Sequence, residues 1–385
     1  MIMSMFEFGD QDYGSMIGYD PTKTLREKLI AESKKKSPKA WAPEPDMLWI
    51  RSGSEAIETA ADWRPMKQMF GPLWREEEVA VLFSTPGVGK SALAVQIAEC
   101  LASGRRIAPF DDVPPGCEVE PQRVLYIDFE LTLQQFLRRY STQSEDGLLR
   151  ENKYKFSDNL FRAQHYWNGK LIDGYEDFTD MIFTNIERKL NEYEITVLIC
   201  DNITFLSQSS TANASIAFRL MNRFQELKNR HYMSILVVAH TPKRRAHMPL
   251  TERDLQGSID LSKVADSIFA LGPSTLAPDL RYIKQIKSRN GSLEYGSEKV
   301  LVFRLAKFDM GEGVDNFFGY TYLGTDIEAI HLPLPFRPLP EKRRKNHKRS
   351  QIAYAKLLAK QGLSTAAIGE RLGVSKPTAH RYVAH

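Results

Sequence analysis

The 385-residue sequence contains only three cysteines, Cys100, Cys117 and Cys200, and they lie far apart. Three cysteines are too few and too scattered for a disulfide framework or a CxxC metal site, so both are excluded. We expect these cysteines to be small buried or incidental residues.

Long hydrophobic runs are also lacking. No stretch approaches the roughly 18 consecutive apolar residues of a membrane span. The opening residues MIMSMFEFGDQDYG carry acids where a secretion signal carries Lys or Arg before an apolar run. We therefore expect a cytoplasmic protein without a membrane partner. Hydrophobic residues make up 42% of the chain, which is enough for a sizeable core in two or three domains.

Charge is divided unevenly along the chain. The net charge of +4 combines −6 over residues 1–336 with +10 over residues 337–385. A basic tail on an acidic body favours a polyanionic partner for the tail, because each neutralised phosphate releases counterions.

Short β-rich runs separated by helical stretches predict the domain organisation. The first four of the seven runs are almost continuously apolar, as in a parallel sheet with helices on both faces. The seven runs are VAVLF (79–83), VLYID (124–128), TVLICD (196–201), ILVVAH (235–240), DSIFAL (266–271), YIKQIK (282–287) and VLVFRL (300–305). We predict a flexible tail over residues 1–45, an α/β domain with a mostly parallel sheet over 46–331, a proline-rich basic linker over 332–349, and a small all-α domain over 350–385.

A glycine loop joins the first run to an amphipathic helix. Two glycines permit the backbone angles that turn successive N–H groups inward, and the helix N-terminus adds a positive end, so the loop can cradle a triphosphate. Lys90 would neutralise phosphates and the hydroxyl of Ser91 would bind Mg²⁺. The alternative is a glycine turn that binds no nucleotide. The predicted ATP-binding residues are Ser84, Thr85, Pro86, Gly87, Val88, Gly89, Lys90, Ser91 and Ala92, with Ser84 where the usual pattern has glycine.

Three further apolar runs end in polar residues. Asp201 is placed to hold the metal, Glu130 to accept a proton from water, and His240 to contact the γ-phosphate. The alternatives are a turn-capping Asp201, an exposed Glu130 at the sheet edge and a structural His240.

The order of these motifs resembles that of RecA-type ATPases, and within them the RepA-like hexameric plasmid helicases, with the DnaB-like helicases more distant. The resemblance covers roughly residues 60–310. It rests on STPGVGKS, VLYIDFE, VLICDN, VVAHTPK, GSIDLSKVADSIFAL (257–271) and IKSRNG (286–291). It implies a RecA-like P-loop core in which Lys90 and Ser91 bind nucleotide and metal, Asp201 is the Walker B acid, Glu130 the catalytic base and His240 the phosphate sensor.

The resemblance also implies an assembly. Lys287 and Arg289 match the strand end with which these helicases reach the ATP of the neighbouring subunit. This match implies a hexamer of identical subunits. An ordinary solvated strand end is the alternative for both residues. The loops over residues 207–215 and 241–256 would face single-stranded DNA on the ring axis, with Lys243, Arg244 and Arg245 as contacts. A solvated surface loop is the alternative there.

The tail resembles a helix-turn-helix. Ser364 can cap one helix, Gly373 and Val374 make the turn, and Ser375 caps a second helix. Lys376, Thr378, His380 and Arg381 would then face duplex DNA, and residues 342–349 would lie along phosphates. The alternative is a helical hairpin that docks on the ATPase or on a partner protein.

Two functional hypotheses follow. The first is a ring-forming, ATP-hydrolysing DNA motor, a helicase of a plasmid or another mobile element. The second is an ATP-gated DNA-binding regulator, target-selection factor or loader that does little unwinding. A small-molecule kinase is a weaker third hypothesis, because the sequence offers no evident acceptor-binding lid.

Overall fold

The computed structural model describes most of the chain in two units. It covers residues 50–61, 63, 66–111, 120–147, 149–164, 171–206, 214–241, 244–255, 258–333, 341–360 and 362–384. The units are residues 1–65, in which the described helix is α1 (Gly53–Ala61), and residues 66–385, and each is described by itself. The predicted tail over residues 1–45, Cys117, Lys243 and the loop 207–213 lie outside the described residues.

A nine-stranded sheet is the main element of the second unit. Its spatial order is β11-β10-β9-β8-β1-β7-β6-β2-β5. The six strands from β8 to β5 run parallel, and β9, β10 and β11 are antiparallel. The strands are β1 (Val79–Ser84), β2 (Val124–Asp128), β5 (Leu160–Gln164), β6 (Val197–Asp201), β7 (Ser234–His240), β8 (Ser267–Pro273), β9 (Leu280–Ser288), β10 (Val300–Phe308) and β11 (Phe317–Asp326), and β3 (Thr142–Gln143) pairs separately with β4 (Arg150–Glu151).

Helices cover both faces of this sheet. They are α2 (Lys90–Ser103), α3 (Leu133–Arg139), α4 (Phe178–Glu192), α5 (Ile203–Leu206), α6 (Ala214–His231), α7 (Ser258–Val264), α8 (Glu328–His331), α9 (Glu341–Lys360), α10 (Thr365–Leu372) and α11 (Lys376–Ala384), with a 3-10 turn at Glu252–Asp254. One face packs on α2, and the other packs on α4 and α6 through side chains such as Phe183 and Phe224. The predicted α/β class with a largely parallel sheet is confirmed.

The sequence prediction missed two strands of the sheet. The short strand β5 alternates apolar and polar residues and lies at the sheet edge, so it lacks the continuous apolar run that marks a central strand. The long strand β11 pairs with β10 and packs against α2. Residues 90–103 are therefore covered on two sides, and most of the helix is buried.

The segment predicted as a linker also differs. Helix α9 begins at Glu341, whereas the sequence predicted a linker to residue 349 and the all-α domain from residue 350. No proline follows Pro340 until Pro377, and the lysines and arginines in the basic run are good helix formers, so the helix extends back through that run.

The three C-terminal helices pack against the antiparallel part of the sheet within the second unit. Buried Ile368 and Leu358 contact a cluster that includes Leu280 and Val302. The guanidinium of Arg371 donates to Asp279 Oδ2 at 2.7 Å. As predicted, the hydroxyl of Ser364 accepts from a backbone N–H in the first turn of α10. A Cβ on Gly369 would lie 2.9 Å from the carbonyl of Val374, so the close approach of the two helices requires glycine.

No helix in the described ranges is both long enough and apolar enough to cross a membrane. Cys100 and Cys200 are buried and unbonded, as expected. Burial raises the pKa of the Cys100 thiol to about 12 and also raises that of Cys200, which makes both thiols poor nucleophiles.

Candidate functional site

Four parallel strands end side by side at the predicted site, which lies at their carboxyl ends. Ser84, Asp128, Asp201 and His240 are the last residues of β1, β2, β6 and β7. The strand register places Ser84 opposite His240 and Asp128 opposite Asp201. Ligands of open α/β sheets bind at these carboxyl ends.

The glycine loop has the backbone geometry of a phosphate cradle. Gly87 and Gly89 have φ angles of 76° and 111°, values that disfavour residues with a side chain. Ser84 has no such angle, because it is still part of β1, and its carbonyl accepts from Thr241 N at 3.1 Å. Glycine is therefore not needed at the first position of this loop.

Two side chains from the antiparallel strands hold the back of the loop. Arg281 Nε donates to the carbonyl of Val88 at 2.8 Å, and the hydroxyl of Tyr320 donates to the carbonyl of Gly89 at 3.1 Å. A Cβ on Gly89 would lie 2.3 Å from that hydroxyl. These contacts occupy the carbonyls of Val88 and Gly89 at the back of the loop and hold its backbone in place.

Lys90 is buried at the first turn of α2. Its ammonium donates to the carbonyls of Ser84 and Thr85 at 3.2 and 3.3 Å and contacts His240 Nδ1 at 3.0 Å. Burial lowers the pKa of Lys90 to about 8, although the carboxylates of Asp201 and Glu130 oppose that change. The lysine therefore carries its charge at neutral pH with little margin.

Glu130, His240 and Asn202 form a cluster beside Lys90. His240 Nε2 lies 3.2 Å from Glu130 Oε1, and Asn202 Nδ2 donates to the same oxygen. A proton on Nε2 lets the ring accept from Lys90 and donate to Glu130. This hydrogen bond from His240, with the charge of Lys90, lowers the pKa of the Glu130 carboxyl and keeps it ionised.

Asp201 lies beside the glycine loop at the end of β6. Its carboxylate accepts from the hydroxyl of Tyr126 at 2.7 Å and from that of Ser91. Complete burial raises the pKa of Asp201, and the two hydroxyl bonds oppose the increase. No group of three metal-ligating side chains occurs in the part of the chain that is described. The carboxylate of Asp201 and the hydroxyl of Ser91 nevertheless fit Mg²⁺, which commonly binds through one or two protein oxygens together with phosphates and water.

Lys287 and Arg289 do not join this cluster. Ser288 pairs with Ser267 at the start of β8, and Ser267 also pairs with Ala80 near the start of β1. Both cations therefore lie near the amino ends of the parallel strands, whereas Lys90 lies near their carboxyl ends. The ammonium of Lys287 donates to the carbonyls of Ser262 and Ala265, and Arg289 pairs with Asp266 at 3.0 Å.

The predicted single-strand contacts Arg244 and Arg245 differ in their exposure. Arg244 is almost completely buried, pairs with Asp254 at 3.0 Å and donates to the carbonyls of Met248 and Pro249. These contacts hold the guanidinium of Arg244 within its own loop, and its contact with DNA stays a prediction. Arg245 is exposed.

The predicted duplex contacts lie on one helix. Lys376, His380 and Arg381 are exposed on α11. Thr378 is half-buried, and its hydroxyl lies 2.9 Å from that of Ser375, so it contributes to the start of the helix.

Comparison with known families matches residues 51–246 to the AAA domain, which is just over half of the chain. The chain belongs to the AAA domain family. It is an ATPase of the P-loop type, and the largely parallel sheet is consistent with a RecA-like P-loop core. The matched range of this AAA domain contains the glycine loop, Glu130, Asp201 and His240, whereas Lys287, Arg289 and the C-terminal helices lie beyond it. Comparison with the curated proteins finds no match.

Several residues of the AAA domain site escaped sequence analysis. Asn202 directly follows Asp201, so its place in the cluster could have been anticipated from the strand end. Tyr126 gave a weaker signal, since it lies two residues before Asp128 and hence on the same face of β2. Arg281 and Tyr320 belong to antiparallel strands distant in sequence, and no local pattern connects them to the loop.

Nucleotide binding by this AAA domain is expected to weaken as pH rises above about 8, because the free protein then loses the proton of Lys90. Each further pH unit lowers the affinity by up to about tenfold until the pKa of the nucleotide-bound lysine is reached. The dissociation constant of ATP, measured from about pH 7 to about pH 9.5, tests this. Lys90→Ala is the control and should bind weakly with little pH dependence. Constant wild-type affinity up to pH 9.5 would contradict the lowered pKa.

Proposed function

We propose that the protein is a hexameric, ring-forming ATPase that uses ATP hydrolysis to act on DNA. The specific role that we propose is that of a RepA-like helicase of a plasmid or another mobile element.

The observation that carries the proposal is the position of Lys287 and Arg289. A phosphoryl-transfer site gains from cations that offset the charge of the transition state. These two residues lie near the opposite ends of the parallel strands from Lys90, and a head-to-tail ring brings opposite surfaces of adjacent subunits together. Their geometry therefore suits delivery to the ATP of a neighbouring subunit.

Within one subunit, each site residue has a distinct task. The loop N–H groups and Lys90 bind the phosphates. Glu130 accepts the proton of the attacking water. Its contacts with Asn202 and His240 both involve Oε1, so we assign its other oxygen to the water. Asp201 and Ser91 would hold Mg²⁺, which when bound neutralises phosphate charge. His240 links Lys90 to Glu130, so loss of the γ-phosphate would alter both contacts.

The C-terminal helices support a DNA-binding role. A tight turn at Gly373 joins α10 to α11, and Lys376, His380 and Arg381 point away from the packed face as a set of exposed polar side chains. We propose that these helices form a helix-turn-helix whose α11 enters a major groove.

This same surface favours the second candidate function, an ATP-gated regulator, target-selection factor or loader, because a ring around a single strand has no evident need for duplex docking. Strand displacement from a forked substrate separates the two. A protein whose ATPase is insensitive to DNA and which displaces no strand is not a helicase. Sequence-specific duplex binding in such a protein would favour the regulator.

Replacing Lys376, His380 and Arg381 together by Ala is expected to weaken duplex binding at least tenfold. The loss of two permanent cations should also lower the slope of log affinity against log salt by about 2, since each phosphate contact contributes close to 0.9. Titration of a labelled duplex at several salt concentrations measures both effects. The matched control replaces the half-buried Lys356 and the exposed Lys360 by Ala, and ATPase activity without DNA should not change in either variant. Unchanged duplex affinity in the first variant would remove α11 as the DNA surface.

A further inference from the structure

An ion pair lies at the end of β2, two residues before Glu130. Asp128 Oδ2 accepts from Arg162 Nε at 3.1 Å and from Nη2 at 2.8 Å. Arg162 comes from β5, one of the two strands that the sequence did not reveal. Its side chain is only 13% exposed, while that of Asp128 is 1% exposed. Two-point contact of this kind fixes the relative orientation of both side chains.

The other oxygen of Asp128 organises the turn that contains Glu130. Asp128 Oδ1 accepts from the backbone N–H of Glu130 at 3.0 Å and from that of Leu131 at 2.8 Å. An aspartate that bonds N–H groups two and three residues onward defines the turn after it. One carboxylate thus joins the end of β2, the guanidinium of Arg162 and the backbone of Glu130.

The far side of the turn is held by the same strand. Arg162 Nη2 also donates to the carbonyl of Leu131 at 2.8 Å, and Gln164 Nε2 donates to that carbonyl at 2.9 Å. The guanidinium lies 4.5 Å from the centre of the Phe136 ring, which limits its movement. The turn is therefore held at its first and last residues.

Glu130 needs this support because its own side chain is little constrained. It is 44% exposed, and its contacts with His240 and Asn202 both reach a single oxygen. A proton acceptor must stay within hydrogen-bond reach of the water, and a displacement of about 1 Å can cost on the order of a hundredfold in rate.

We propose that Asp128 and Arg162 are positioning residues for ATP hydrolysis, acting through the backbone of Glu130 to direct its carboxylate at the attacking water. This inference rests on the proposed role of Glu130 as the proton acceptor. Neither residue needs to touch the nucleotide, so the pair should affect the chemical step and leave nucleotide binding unchanged.

The test compares Arg162→Gln with the matched control Arg105→Gln in the full-length protein. Arg105 also pairs with a buried acid, Glu99 at 2.9 Å, and donates to Tyr154 and to the carbonyl of Met310, but it contacts none of the site residues. We expect Arg162→Gln to lower the single-turnover rate of ATP cleavage by about 10- to 100-fold, with the ATP dissociation constant changed less than about twofold. Arg105→Gln should keep both values, and Arg162→Lys should recover part of the rate, since it retains the charge without the fork.

A double-mutant cycle then asks whether Arg162 acts through Glu130. In a Glu130→Gln background the additional Arg162→Gln change should have no further effect on the rate, because the group that it positions is already gone. An equal loss of rate in both backgrounds would mean that Arg162 acts elsewhere, and a parallel loss of rate and ATP affinity would mean a general structural defect. Either result overturns the inference, as does an unchanged rate in a folded Arg162→Gln protein. If Glu130→Gln alone hydrolyses ATP at the wild-type rate, the proposed function of Glu130 fails as well, so the two failures are distinguishable.

Discussion

Replacing Glu130 by Gln is expected to abolish most ATP turnover while ATP binding persists. The amide has nearly the same shape and can still contact His240 and Asn202, but it does not accept a proton from water. Loss of a positioned general base typically costs about 10²- to 10⁴-fold. The lowered pKa of Glu130 means that the wild-type carboxylate is ionised throughout the neutral range, so the loss should be seen at every neutral pH.

Two measurements are needed to interpret that result. Equilibrium binding of a fluorescent ATP analogue should give similar affinity for the variant and the wild type, whereas steady-state phosphate release should fall. Glu145→Gln is the matched control, since Glu145 is an exposed glutamate in the turn between β3 and β4. Hydrolysis by Glu130→Gln at the wild-type rate would mean that another group orients the water.

The residues of the phosphate site could be predicted because they follow a general rule of parallel sheets. Asp201 and His240 end apolar runs, and the carboxyl ends of parallel strands share one edge. The pairing of Ser84 with His240 and of Asp128 with Asp201 could not be predicted, because register depends on which strands become neighbours.

The parts that sequence reasoning missed depend on long-range contacts. Arg162 acts on a turn more than thirty residues earlier in the chain, through a short strand whose polar residues hide its place in the sheet. The burial of Arg244 was not foreseen, for a related reason. A cation in a polar loop looks solvated from sequence, and its burial depends on the carbonyls and on Asp254, which the loop folds around it. The backward extension of α9 could have been predicted, since helix propensity is a local property.

The arrangement of the C-terminal helices is compatible with both of the interpretations that the sequence left open. Their apolar face docks on the sheet unit, and Arg371 reaches Asp279 in the turn between β8 and β9. That turn also precedes Arg281, which holds the back of the glycine loop. Docking on the ATPase and presentation of a basic helix are therefore compatible, because they use different faces of the same helices.

Arg289→Ala and Lys90→Ala are each expected to be nearly inactive alone and to recover activity when their subunits are mixed. An arginine supplied to a phosphoryl-transfer site contributes about 10³- to 10⁵-fold, and Lys90 is required for phosphate binding. In a head-to-tail ring formed by random mixing of equal amounts, about a quarter of the interfaces combine an intact Lys90 with an intact Arg289. If each site hydrolyses ATP independently, the ATPase activity of the mixture should reach about a quarter of the wild-type activity.

The controls follow from the same geometry. A subunit carrying both substitutions should rescue neither single variant, because no interface then holds both intact groups. Arg289 is about half exposed and pairs with Asp266 in its own chain, so its loss should cost less than about 1 kcal/mol of stability. Thermal unfolding of the variant checks that expectation.

The subunits must be co-expressed or exchanged before assay, since preformed rings would conceal the effect. Absence of recovery at every mixing ratio, or full ATPase activity in a permanently monomeric protein, would contradict a site shared between subunits. Recovery would mean that the opposite ends of the parallel strands, which never meet within one subunit, form a single catalytic unit in the assembly.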